Sequence, residues 1–122
     1  MERGRKMTEN SYKTPCGCIH YFVNIIDKQK ITLVFLPGLT ADHRLFEKQI
    51  EYFEKKQNVF VWDAPSHALS RPFTNNYSLS DMAQWLCEIL AKEEIYYPII
   101  IGQSMGGYLA QMYMELYPDK IK

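Results

Sequence analysis

The stretch Tyr97-Pro98-Ile99-Ile100-Ile101-Gly102-Gln103-Ser104-Met105-Gly106-Gly107 decides the fold of this chain. Its first half is a short apolar, β-branched run, the pattern of a strand buried on both faces. Behind Gly107, the residues Leu109, Met112, Tyr113 and Leu116 recur at helical spacing. Tyr117-Pro118 ends that helix, because proline cannot continue it. Between strand and helix lies a G-x-S-x-G turn, sharp enough to lift the Ser104 hydroxyl above the edge of a sheet. A Cβ at Gly102 or Gly106 would collide as strand and helix close together, so both positions require glycine. The helix that starts after Ser104 aims unsatisfied N–H groups and its positive dipole end at that hydroxyl. The backbone N–H of Met105 then becomes a natural donor to an oxyanion. A glycine-rich turn with an idle serine is the competing reading. It is the weaker one, because strand and helix flank the motif on the required sides.

Working back toward the amino terminus, the same alternation repeats. Ile31–Leu36 is an apolar run stopped by Pro37-Gly38, and Asn58–Asp63 is another that closes on an acidic residue; both predict buried strands. Ile19–Asn24, followed by the polar Asp27–Lys30, predicts a strand that opens a hairpin. Leu45, Phe46, Ile50 and Phe53 mark one amphipathic helix. Ser78 opens a second, with Asp81 completing a capping-box-like start and Leu79, Met82, Leu86, Ile89 and Leu90 forming its stripe. Apolar strands separated by amphipathic helices define the α/β class: a mostly parallel sheet flanked by helices. Residues 1–18 are expected to be an extension ahead of a single domain spanning residues 19–122. In such sheets function sits at the carboxyl ends of the strands.

Composition sets limits on function. The 122 residues carry 14 Lys+Arg against 14 Asp+Glu, with no basic stripe, which argues against nucleic-acid binding or a coat for anionic membrane. A 47% hydrophobic and 23% charged composition is that of a globular chain. No apolar run approaches the roughly 18 residues of a membrane span. Met1–Met7 is charged and leads into Thr8-Glu9-Asn10-Ser11 without an apolar core, so no secretory signal is expected and the location is read as cytoplasmic. Three cysteines make no disulfide framework. Cys16 and Cys18 form a C-x-C pair, but no second ligand pair follows at zinc-like spacing, so they are read as reduced thiols. Cys87 is read as a small buried hydrophobe.

Two further strand ends matter. Leu36-Pro37-Gly38-Leu39-Thr40 leads into the first helix, where the glycine lets backbone approach a ligand and the Leu39 N–H is placed to be a second oxyanion donor. Asp63-Ala64-Pro65-Ser66-His67-Ala68-Leu69-Ser70 reads as a polar turn, rather than as part of a Ser-His-Asp triad. In this order the three strand ends resemble the amino-terminal half of the α/β-hydrolase fold family. Strand-Pro-Gly-Leu is similar to that family's H-G-x oxyanion segment, Asp63–Ser70 to its D-x-P-G-H-G-x-S loop, and Gly102–Gly106 to its nucleophile elbow. Pro37 departs from the family's histidine, and Ser66 and Ala68 from its glycines. The resemblance implies Ser104 as nucleophile, the N–H groups of Leu39 and Met105 as oxyanion hole, a small-molecule acyl substrate, and neither cofactor nor metal.

In the family the triad runs Ser…Asp/Glu…His along the chain. After Ser104 only 18 residues remain, with Asp119 but no histidine. His20 is read as structural, His43 begins a helix beside the oxyanion loop, and His67 matches a loop histidine that is not the base. Without a base the serine hydroxyl is a poor nucleophile, by about 10²- to 10⁴-fold. These 122 residues are therefore expected to be a fragment that lacks the acid, the base, the later strands and the cap. The leading function is serine hydrolysis of an ester, thioester or related acyl bond. C–C hydrolysis or lyase chemistry on the same fold remains open, as does a non-catalytic module that recruits a partner along an exposed edge strand.

Overall fold

The computed structural model describes residues 7–38, 41–65, 70–71 and 77–120. Strands β1 (Thr8–Thr14), β2 (Gly17–Asn24), β3 (Thr32–Leu36), β4 (Asn58–Trp62) and β5 (Pro98–Gly102) form one mixed sheet. The helices are α1 (Glu47–Phe53), α2 (Leu79–Lys92) and α3 (Met105–Leu116), with a short 3-10 turn at His43–Phe46 leading into α1. The strand order is β1-β2-β4-β3-β5. β4, β3 and β5 run parallel, as their apolar sequences require, and the β1–β2 hairpin is added antiparallel to β4.

The period-2 alternation of strand side chains divides the core in two. Val34, Leu36, Phe60, Trp62, Ile19 and Tyr21 point to one face, where Met82, Leu86, Ile89, Leu109 and Tyr113 of α2 and α3 cover them. Leu33, Phe35, Val59 and Val61 point to the other, against Phe46 and Ile50. Helices thus lie on both faces, and the parallel strands present their carboxyl ends on one edge. The α2 capping box is present: the Ser78 hydroxyl accepts from the Asp81 N–H, and the Asp81 carboxylate accepts from the Ser78 N–H.

Two expectations are corrected. Ile19–Asn24 does not open a hairpin toward β3; it closes one, pairing with β1 on one side and β4 on the other. Residues 8–14, expected as an extension, are an integral strand. The reason is that β1 (TENSYKT) is a polar edge strand, mostly solvent-facing, and carries little of the apolar alternation by which a strand is recognised. Its place is set by pairing and by side-chain ties. The Thr14 hydroxyl accepts from the Cys16 and Gly17 N–H groups and shapes the turn. Tyr12 donates to Glu88 of α2 at 2.6 Å, and Tyr21 and Asn10 both donate to Glu93, at 2.5 and 3.1 Å.

These ties predict an alkaline limit. The hydrogen bond to Glu88, with burial and the carboxylate charge, pushes the Tyr12 phenol up to about 12 from its ordinary value of 10.0. A raised folded-state value means the tie contributes fully below pH 10 and is lost as pH rises toward 12. Urea midpoints measured from pH 8 to 11 should fall at the alkaline end, and Tyr12→Phe should flatten that fall.

Candidate active site

β5 ends at Gly102, and α3 begins three residues later at Met105. The chain makes that reversal through Ser104, whose backbone stands at φ 58°, ψ −118°. This is a left-handed conformation that non-glycine residues reach only under strain, at a cost of about 1–3 kcal/mol. Ser104 is exposed and occupies the N-cap of α3, yet its side chain makes no cap hydrogen bond. In the first turn of α3 the Gly106 N–H is taken by Gln103 O, and those of Gly107 and Tyr108 by Ser104 O. The Met105 N–H takes part in none of these bonds and remains at the positive end of the helix.

The elbow is held by backbone contact. The Gln103 N–H donates to Leu36 O at 3.1 Å and continues the β3–β5 ladder. A Cβ at Gly106 would lie well under 3.0 Å from Leu36 O, and one at Gly102 equally close to Gly106 O. Both collisions are with backbone, which bears out the reading of these glycines. Gly38, at the end of β3, packs so closely on Gln103 and on Ser104 Cβ that it too has no room for a side chain. The loop after β3 therefore touches the serine turn directly. Leu39 and His67 lie outside the described residues.

One pairing was not legible in the sequence. Asp63, just past β4 and fully buried, accepts from both the His43 N–H at 2.7 Å and its ring Nδ1–H at 2.9 Å, through the same Oδ1. The ring lies on Phe22, with centroids 4.2 Å apart. The Asp63 N–H donates to His20 O, and the Ser70 hydroxyl donates to Asp63 O while accepting from the His20 N–H. Arg44 donates to Asp42, which caps the 3-10 turn, and this holds the Asp42 carboxyl below its ordinary range. No sequence signal joins His43 to Asp63, because 20 residues separate them. An Asp–His couple invites a catalytic reading, but its position opposes it. Phe22 is on β2, three strand steps from β5, about 14 Å at the usual spacing. The other described histidine, His20, faces Glu9 on β1.

Cys16, Cys18 and Cys87 are free thiols. Among the described residues no group of three acidic, histidine or cysteine side chains could hold a metal, and no helix is long and apolar enough to cross a membrane.

A parallel sheet whose third parallel strand ends in a strained, exposed serine at a helix N-terminus defines a class of protein. A family model of the alpha/beta hydrolase fold matches residues 31–122, and the chain belongs to that family. It is 28% identical over 97 residues to a Mycoplasma genitalium protein that bears an esterase/lipase name, a match covering 78% of this chain and 36% of that one. The fold superposes on the crystal structure of naproxen esterase from Bacillus subtilis with a TM-score of 0.83 at 20% identity, covering 98% of this chain and 42% of that one. Est816, described as an N-acyl homoserine lactone degrading enzyme, gives 0.84 at 20% identity, with coverages of 92% and 42%. The chain thus spans little more than a third of the curated relative it matches.

Two predictions follow from the elbow. Ser104→Gly removes the strained side chain and should raise stability by about 1 kcal/mol, the strain released less the added chain entropy of glycine; thermal unfolding measures it. Gly106→Ala forces a Cβ onto the Leu36 carbonyl and should cost about 1–3 kcal/mol or more. Gly107→Ala, with its nearest neighbour at 3.8 Å, should be tolerated.

Proposed function

We propose that this chain supplies the nucleophile and oxyanion donors of a serine hydrolase that cleaves an ester, thioester or related acyl bond. The observation that carries the proposal is the strained backbone of Ser104, since about 1–3 kcal/mol of strain is not retained at an idle turn. The Ser104 Oγ attacks the acyl carbon, and the negative charge that develops on the carbonyl oxygen is taken by the N–H groups of Met105 and Leu39. Collapse expels the alcohol or thiol and leaves acyl-Ser104, which water then hydrolyses. The proton of Ser104 goes to a histidine supported by a carboxylate, both supplied, in the family's order, after this stretch of chain. Neither His20 nor His43 fits that task, because each already faces a carboxylate on the far strands. The esterase/lipase name of the Mycoplasma relative supports an acyl substrate. Three free thiols and the balanced charge support a cytoplasmic location.

The test uses the protein at its full encoded length and a fluorophosphonate probe. Peptide mapping should place the adduct on Ser104. Ser104→Ala should abolish labelling and lower p-nitrophenyl ester hydrolysis by at least about 10³-fold. The 122 residues alone should show no steady turnover. A full-length protein that resists the probe would sink the hydrolase reading and favour a binding module built on the β5 edge.

A further inference from the structure

We infer that His43 is a positioning residue for the oxyanion loop and acts through Asp63; the inference rests on the hydrolase reading above. What that loop must supply is a backbone N–H about 2.7–3.1 Å from a developing oxyanion, so its work is wholly positional. Its upstream end is fixed at the elbow, where Leu36 O accepts from the Gln103 N–H and Gly38 packs on Gln103 and Ser104. Its downstream end has no strand to hold it. There the Ala41 N–H donates to Gly38 O at 3.1 Å, Asp42 caps the 3-10 turn, and His43 delivers two donors to one oxygen of Asp63.

Asp63 is a fixed post. It is fully buried, it follows directly on β4, and its backbone is tied to β2 through His20 O and to the downstream segment through Ser70. A carboxylate can only accept, so the Nδ1 of His43 carries the proton toward it. The backbone bond fixes where His43 sits. The ring bond, with Phe22 beneath the imidazole, fixes the rotation of the chain at that point. Removing the imidazole withdraws a donor from a buried carboxylate and frees the downstream end of the loop. A shift of about 1 Å in an oxyanion donor is enough to lose about 10²-fold in rate.

Asparagine and glutamine separate this role from others. The Nδ2 of asparagine stands close to where Nδ1 stands, whereas the amide of glutamine reaches the position of Nε2. In the full-length protein His43→Ala and His43→Gln should both lower kcat and the rate of fluorophosphonate labelling by about 10- to 100-fold. KM for a p-nitrophenyl ester should hold within about three-fold, since the loss falls on the transition state. His43→Asn should recover most of the rate. Melting temperatures and circular dichroism establish that each variant is folded; should the alanine variant not fold, the asparagine–glutamine pair carries the same test. Wild-type kcat in folded His43→Gln, a change confined to KM, or an asparagine variant as impaired as the glutamine one would each overturn the positioning role. If Ser104 of the wild type is not labelled, the hydrolase reading fails first, and that outcome is distinct from wild-type labelling that the His43 variants leave unchanged.

Discussion

The site depends on how closely two backbones meet. The end of β3 and the turn after β5 approach until Leu36 O sits where a Gly106 side chain would be, and Gly38 lies against Gln103 and Ser104. Side chains keep neighbouring main chains apart, so such contact needs glycine on the approaching side. The approach does two things at once. It forces the chain through a reversal that only a strained residue can complete, and that residue is Ser104. It also brings the loop after β3 beside the serine, so that donors from two separate strand ends can face one reacting atom.

Strain of this kind persists only where the surroundings over-determine it. Here β5 is laddered to β3, and α3 packs on α2 and on the sheet through Leu109 and Tyr113. With both flanks immobile, the bend has nowhere to relax. The same argument applies at the neighbouring strand end. Asp63 is buried at the end of β4, and the backbone of β2, the hydroxyl of Ser70 and both donors of His43 converge on it. One acidic side chain thereby ties together three segments distant in sequence, on the edge that carries the serine.

The parallel strands and the two longer helices were legible because each carries its own pattern. Ile31–Leu36, Asn58–Asp63 and Tyr97–Ile101 are apolar enough to be buried on both faces, and the Ser78 capping box and its stripe stand as read. The first strand was not legible. Thr8–Thr14 owes its conformation to the partner it pairs with and to Tyr12, and nothing in TENSYKT announces a strand. Misassigning the partner of Ile19–Asn24 follows from that omission, since a strand whose neighbour is unseen is matched to the next one in the chain.

What the sequence determined by itself was local chemistry: where strands give way to helices, which serine stands on a G-x-S-x-G turn, and why its glycines cannot be replaced. These are properties of a few consecutive residues, fixed by sterics and periodicity. What only the tertiary structure decided was which distant groups meet. His43 and Asp63 are 20 residues apart, and the polar β1 belongs to the sheet only through its partners. Pairings of that kind are set by the packing of whole elements, and a buried carboxylate takes whichever donors the fold carries to it.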